Sequence, residues 1–149
     1  TISDCFISTG DDSIKAYHDV VIRNVTIEQH RNGAPIQFGW GGEGGRAKVE
    51  IENLTIKGAS KDGLYNMAPF TWEEGSDGVR EVTIKGLKID LAGRLYDEPA
   101  QRWLPIGLFE LRPTECTVNF TATDADIGLL QPGVRQTRGT IAINGRKLP

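Results

Sequence analysis

Two aspartates stand side by side near the start of this 149-residue chain, in the stretch GDDSIKAY. Paired carboxyl groups suit glycoside hydrolysis, because one group can protonate the leaving oxygen while the other activates a water molecule. Repulsion between neighbouring carboxylates also favours keeping one of them protonated near neutral pH. Asp11 and Asp12 are therefore candidate catalytic residues, and a simple surface turn is the alternative for the dipeptide taken alone.

The residues after the pair predict a strand that lines a groove. Alternation along a strand places Lys15 and Tyr17 on the same face as Asp11, with Ile14 on the inner face. Strict alternation would bury the second aspartate beside Ile14, which is unfavourable for a carboxylate. We therefore expect a bend at residues 10–12 that turns both carboxylates into one groove.

Four further residues are candidates for binding a sugar in that groove. Lys15 could donate hydrogen bonds to hydroxyl groups, and a solvated surface lysine is the alternative. Tyr17 and Trp40 could stack on the apolar face of a pyranose ring, and Gln37 offers an amide that can both donate and accept. Glycines flank Trp40 in FGWGGEGG and leave room for an exposed ring.

A short strand phrase recurs along the chain and predicts the fold. It reads IRNVTI from Ile22, IENLTI from Ile51 and IKGLKI from Ile84, with degenerate copies FTATDA from Phe120 and INGRKL from Ile143. Repetition about every 30 residues is typical of a solenoid. Short apolar strands with 18 glycines and no long helical pattern predict an all-β protein, a right-handed parallel β-helix whose equivalent isoleucines stack inside.

The middle residue of each phrase predicts a turn or kink, because Asn and Gly tolerate left-handed backbone geometry. Asn24 and Asn53 hold this position in the first two copies. They lie in N-x-[ST] triplets, as does Asn119, and we interpret all three as stacked turn asparagines rather than glycosylation sites. The segments FGWGGEGGR and NMAPFTWEEGSDG look like loop insertions. Trp72 and Trp103 would cover the core beside such loops.

Composition argues against several classes of function. A net charge of −3 gives no strong field for nucleic acid, and no apolar run approaches the ~20 residues of a membrane helix. Cys5 and Cys116 lack metal-type spacing and are expected to be buried thiols. With His18 and His30 as the only histidines, we expect neither a metal site nor a cofactor.

Two quoted stretches resemble a known family. GDDSIKAY followed by APIQFGWGGE looks like glycoside hydrolase family 49, which contains dextranases and isopullulanases. The family has a DDxIK-type stretch on one β-helix coil and a PIxxGW-type stretch on the next. The matching positions here are 11–15 and 35–40, and the intervening VVIRNVTIEQHRNG fits in length and character. Later coils resemble the family more loosely.

The resemblance implies an inverting glycosidase that acts on an α-glucan of dextran or pullulan type. By position, Asp11 takes the role of the general acid and Asp12 that of a base holding the water. The family's third aspartate would fall before residue 1, and Asp4 does not match it. We therefore expect residues 1–149 to be part of a single catalytic β-helix domain with upstream coils missing. The implied partner is a polysaccharide or oligosaccharide, and the implied location is extracellular or periplasmic.

Two alternatives stay open. The first is a β-helix hydrolase or lyase for an acidic polysaccharide such as pectin, since paired aspartates also occur in polygalacturonases. Those enzymes usually continue with a cysteine and a Gly-His-Gly stretch, which this chain lacks. The second alternative is a non-catalytic carbohydrate-binding module. Glu43, Glu73 and Glu74 are further loop carboxylates without an assigned role.

Overall fold

The computed structural model describes residues 1–59, 65–75, 77–91, 94–97, 99 and 101–149. These residues form an all-β structure without helices, as the composition predicted. None of them forms a helix long and apolar enough to cross a membrane. The strands are β1 (Ile2–Thr9), β2 (Ile14–Lys15), β3 (Val20–Gln29), β4 (Ile36–Gly39), β5 (Gly45–Gly58), β6 (Phe70–Trp72), β7 (Gly78–Asp90), β8 (Arg94–Asp97), β9 (Arg102–Pro105), β10 (Gly107–Leu111), β11 (Thr117–Asp126), β12 (Gln131–Arg135), β13 (Ile141–Ile143) and β14 (Arg146–Lys147).

Two parallel sheets share most of the strands. The larger sheet has the order β1-β3-β5-β7-β11-β13-β14, and the smaller has the order β12-β10-β6-β4-β2. Apart from the β8–β9 pair, successive strands up to β13 alternate between these two sheets. Antiparallel pairing joins β8 to β9 and β13 to β14, and the other strand pairs of the described residues are parallel. Each repeat therefore adds one strand to each sheet, beside the equivalent strand of the previous repeat.

The recurring isoleucines align inside the larger sheet, as the repeat predicted. Ile22 pairs with Ile51, Ile51 pairs with Ile84, and all three side chains are buried. The fourth copy was placed wrongly, because Ala122 and not Phe120 pairs with Ile84. The position equivalent to the repeated isoleucine is occupied there by the small residue Ala122, so the isoleucine pattern does not reveal it.

Asparagines stack at the kink of the larger sheet. Asn24 and Asn53 have φ angles of 52° and 56°, and Asn53 Nδ2 donates to Asn24 Oδ1 over 3.1 Å. Asn24 Nδ2 in turn donates to Asp4 Oδ1 over 2.9 Å. Gly86 continues the left-handed position with φ 79°. The prediction of a stacked ladder is confirmed, although the kink bends each strand without ending it.

Asn119 does not belong to this ladder, contrary to the prediction. It pairs with Glu81 in the parallel ladder between β11 and β7, away from the kink. Its Oδ1 accepts a hydrogen bond from Thr140 N over 3.1 Å, and its Nδ2 donates to Glu81. The triplet alone could not separate the two positions, because both lie on strands of the same sheet.

The two stretches interpreted as insertions contain loops at residues 40–44 and 73–75, but they also contribute strand residues to the smaller sheet. Phe38 lies in β4, and Phe70 and Trp72 lie in β6, all with buried side chains. Phe70 stacks on Phe38 at 6.2 Å and meets Phe120 of the larger sheet edge-on at 5.1 Å. Aromatic packing thus joins the two sheets, at about 0.5–1.5 kcal/mol per pair beyond area burial.

Three smaller expectations concern cysteines and tryptophans. Cys116 is buried as expected, but Cys5 is exposed on the edge strand β1, and both thiols are free. Trp72 packs in the core, as predicted. The side chain of Trp103 lies outside the described residues.

Candidate active site

A cleft of about 370 Å³ opens beside β2, the edge strand of the smaller sheet. It draws on the β1–β2, β3–β4 and β4–β5 connections and on the segment before β6. Four of the six predicted site residues line it, together with three others. The lining residues are Asp11, Asp12, Lys15, Asn32, Gly33, Trp40 and Met67.

The chain bends at the aspartate pair, as expected from the burial argument. Bends fall at Gly10 and Asp11, and the Thr9 hydroxyl donates to the Asp11 carbonyl oxygen over 2.7 Å. After the pair the chain enters the smaller sheet, where Ser13 N donates to Ala34 O over 2.9 Å. Because the bend interrupts the alternation of a strand at residues 10–13, both carboxylates reach the same cleft.

The two aspartates have different surroundings. Asp12 is half-buried, with Oδ1 accepting from Ala34 N over 2.9 Å and Oδ2 accepting from Gln37 Nε2 over 2.7 Å. Asp11 is exposed, and its Oδ1 accepts from the Asp12 backbone N over 2.8 Å. One carboxylate is fixed through both oxygens and its neighbour faces solvent, so the pair can divide two chemical tasks.

Gln37 differs from its expected role as a direct sugar ligand. Its side chain is 0% exposed and is absent from the lining of the cleft. Its Nε2 donates to Asp12, and its Oε1 accepts from the Tyr17 hydroxyl. The amide is therefore occupied at both ends and contacts the carboxylate from behind.

Tyr17 also differs from its expected stacking role, because its ring is half-buried and does not line the cleft. Burial is the main cause that raises the pKa of Tyr17 to about 12, and the negative charges of Glu43 and Asp12 add to it. Arg80 acts in the opposite direction. The hydroxyl is consequently a proton donor throughout the physiological pH range.

Trp40 lies at the rim of the cleft with 54% of its surface exposed, as its glycine neighbours suggested. The carboxylate of Glu43 holds its loop, accepting from Trp40 N over 2.9 Å and from Gly41 N over 2.6 Å. Burial works to raise the pKa of Glu43, but these backbone hydrogen bonds outweigh it and lower the pKa. Glu43 thus stabilises the loop through its backbone and leaves the indole ring of Trp40 accessible to a ligand.

Arg80 anchors the same loop from inside the protein, and sequence reasoning missed it. Its guanidinium is buried and donates to five backbone carbonyl oxygens at 3.0–3.2 Å, those of Ala16, Phe38, Glu43, Gly45 and Val79. It also lies 4.5 Å over the ring of Trp72. Strand alternation could have revealed its burial, because Arg80 lies on the same inner face of the strand as Val82 and Ile84.

Of the loop glutamates Glu43, Glu73 and Glu74, Glu73 is the one whose carboxyl has a raised pKa. Burial raises the pKa of Glu73, the charge of Glu110 raises it further, and Asp12 adds a smaller effect. The guanidinium of Arg112 opposes this shift from 3.4 Å. Glu74 is exposed. Glu73 is therefore a secondary candidate for a protonated carboxyl beside the cleft.

The side chain of Lys15 is exposed and forms no hydrogen bond or ion pair with any described residue, so its ammonium group is available to a ligand. Within the described ranges, no group of three or more His, Cys, Asp or Glu is arranged to hold a metal ion.

Comparison with protein-family models, with curated proteins and with solved structures gave no match.

Proposed function

We propose that this chain is a glycoside hydrolase with a right-handed parallel β-helix fold, cleaving an α-glucan of dextran or pullulan type with inversion. The observation that carries the proposal is the unequal setting of two adjacent carboxyl groups in one cleft. Asp12 is held through both oxygens, while Asp11 faces solvent. Environments that differ in this way are how enzymes assign acid and base to two carboxyl groups.

The β-helix is supported by the way the strands alternate between two parallel sheets. A strand that returns to lie parallel beside its predecessor does so with a right-handed crossover in almost all proteins. The left-handed positions of Asn24, Asn53 and Gly86, stacked from strand to strand, are what a repeated coil requires. These observations favour a solenoid over a sandwich of unrelated sheets.

In the proposed reaction Asp11 donates its proton to the glycosidic oxygen as the bond from the anomeric carbon breaks. Asp12 accepts a proton from a water molecule, whose oxygen bonds to the anomeric carbon on the opposite face. The two aspartates exchange roles as proton holders, and solvent returns them to their starting states. The resemblance to family 49 in the GDDSIKAY stretch points to the same division of roles.

A neutral glucan fits the cleft better than an acidic polysaccharide. The cleft is lined by two aspartates and one cation, Lys15, so a uronate chain would meet net negative charge. Trp40 offers the apolar ring face that a pyranose needs. A second cavity of about 230 Å³ also includes Met67 and gives room for further sugar units of a polymer. With a polysaccharide as the substrate, we propose an extracellular or periplasmic location for the enzyme.

Proton NMR of fresh digests tests the proposal. Dextran and pullulan are incubated with the intact protein, and the anomeric region is recorded within the first minutes. We expect the β-anomer to appear first and polygalacturonate to stay intact. An initial α-anomer would exclude inversion. Glucan binding by Trp40 without release of reducing ends would favour the carbohydrate-binding module instead.

A further inference from the structure

Gln37 lies on the outward-facing side of β4, yet its side chain is completely buried. Its neighbours Ile36 and Phe38 point to the core, and in register it pairs with Lys15 and Thr71 of the adjacent strands. Burying an amide is unfavourable unless both its ends are hydrogen-bonded. Here both ends are bonded, to two residues that the sequence placed at the site.

The polarity of these hydrogen bonds allows one orientation of the amide. An ionised carboxylate only accepts, so the Nε2 of Gln37 must face Asp12, and the Oε1 must face the other way. The Tyr17 hydroxyl then donates to that oxygen. A flipped amide would set its oxygen against the carboxylate, where neither group can donate, whereas the Tyr17 hydroxyl can donate or accept and fits either end of the amide. The carboxylate therefore determines which end of the amide faces it, and Tyr17 holds the opposite end in place.

We propose that Gln37 is a positioning residue, held at its amide oxygen by Tyr17, that keeps the Asp12 carboxylate in the geometry of a catalytic base. This rests on the proposed hydrolase function. Ala34 N holds the other carboxylate oxygen, so rotation of the carboxylate is blocked at both ends. Each oxygen keeps a lone pair that can accept from a water molecule. A misplacement of about 1 Å in such a group can lower the rate about 100-fold.

Gln37→Glu tests the proposal, because it preserves shape but removes the donor when ionised. We expect kcat to fall about 100-fold at neutral pH with KM changed less than about threefold, as for a group misplaced by about 1 Å. The deficit should shrink as pH falls, because a protonated glutamic acid can donate to Asp12 again. Titratable groups near the Asp12 carboxylate are Asp11, Lys15, Tyr17 and Glu73. The pH profile of each variant is therefore compared with that of the unchanged protein.

Two further variants separate positioning from packing. Tyr17→Phe leaves the amide oxygen without its hydrogen-bond partner and the amide less rigidly held, and we expect kcat to fall about tenfold on the same reasoning. Thr71→Val is the matched control, since Thr71 is 0% exposed, neighbours Gln37 in register and has a hydroxyl without a hydrogen-bond partner among the described residues. It should retain full activity. Wild-type kcat in Gln37→Glu, or a rise in KM alone, would overturn the proposal.

Side-chain NMR tests the hydrogen bonds without any substrate. The amide protons of Gln37 should exchange slowly with solvent, and exchange should accelerate in Tyr17→Phe but not in Thr71→Val. Solvent-rate exchange in the unchanged protein would overturn the positioning role. If no glucan is cleaved while the amide stays protected, the hydrolase proposal fails and the hydrogen-bonded arrangement stands.

Discussion

Gly33 lies directly against the backbone of Asp11. A Cβ atom built on Gly33 would be 2.2 Å from the carbonyl carbon of Asp11 and 2.5 Å from the amide nitrogen of Asp12. Gly33 also has a φ of +88°, where side chains are strained. The aspartate bend can therefore sit on the β3–β4 connection only because residue 33 has no side chain.

Gly33→Ala should accordingly displace the aspartate pair. We expect at least a tenfold loss of kcat on dextran, since displacement of about 1 Å can lower the rate about 100-fold, and a lower melting temperature. Gly10→Ala is the control, because a Cβ at Gly10 meets nothing within 4 Å. Equal activity of the two variants would show that the close approach does not position the carboxylates.

Asp11→Asn and Asp12→Asn should each abolish most turnover. General acid–base catalysis contributes roughly 10²–10⁴-fold, so kcat should fall by at least about 100-fold in each variant. Asp90→Asn, at an exposed residue on β7, should keep normal activity. Steady-state kinetics and a thermal melt of each variant check this. Near-normal turnover in both pair variants would reduce the pair to a turn.

Asn53→Ala should destabilise the larger sheet. Alanine in the left-handed conformation costs about 1–2 kcal/mol, and loss of the hydrogen bond to Asn24 costs about 1 kcal/mol more. Asn53→Gly should recover the conformational part alone. Urea unfolding measures both, with exposed Glu52→Ala as the control. Identical stabilities for the alanine and glycine variants would argue against backbone strain.

Arg80→Lys should destabilise the protein although it keeps the charge. A lysine cannot reach five carbonyl oxygens at once, and each buried acceptor left unpaired costs about 1–3 kcal/mol. The Trp40 loop should loosen as well, seen as a change in tryptophan fluorescence. Arg23→Lys, in an exposed ion pair, should change little. Equal urea midpoints would contradict the anchoring role.

Stability should depend on Tyr17 at alkaline pH. The folded protein holds this proton more tightly than the unfolded chain, because burial raises the pKa of Tyr17 from 10.0 to about 12. The resulting stabilisation is complete below about pH 10 and is lost as pH rises towards 12. Urea unfolding between those values should show a steeper loss in the unchanged protein than in Tyr17→Phe. Parallel curves would contradict the shift.

The sequence predicted the features that repeat or alternate. Ile22, Ile51 and Ile84 revealed the register because one apolar type recurs at equivalent places, and Asn24 and Asn53 revealed the kink because few residues tolerate it. The fourth copy was placed two residues too early, because the bulky apolar Phe120 resembles the repeated isoleucine more than Ala122 at the equivalent position does. Local patterns thus determined the larger sheet well.

The contacts between strands could not be predicted in the same way. Gln37 and Tyr17 looked like sugar ligands because polar and aromatic side chains near a carboxylate pair suit that role. Their burial depends on how β2 and β4 pack together, which single-strand alternation does not contain. Strand β6 and the end of β4 looked like loops, because glycine and proline near them are typical of turns.

The order of strands in the larger sheet also bears on how the protein opens. Each strand there pairs only with its immediate neighbours, and β5 and β7 lie near the middle, between β3 and β11. Separation of the sheet can then begin at β1 or at β13 and β14 and advance strand by strand, so backbone amides at the two edges exchange with deuterium before those of β5 and β7. The carboxylate pair follows β1, and its bend is closed by β2 and β4. In this 149-residue chain the cleft therefore lies beside one of the two edges of the larger sheet, and fraying at that edge would empty the cleft while most of the sheet remains closed.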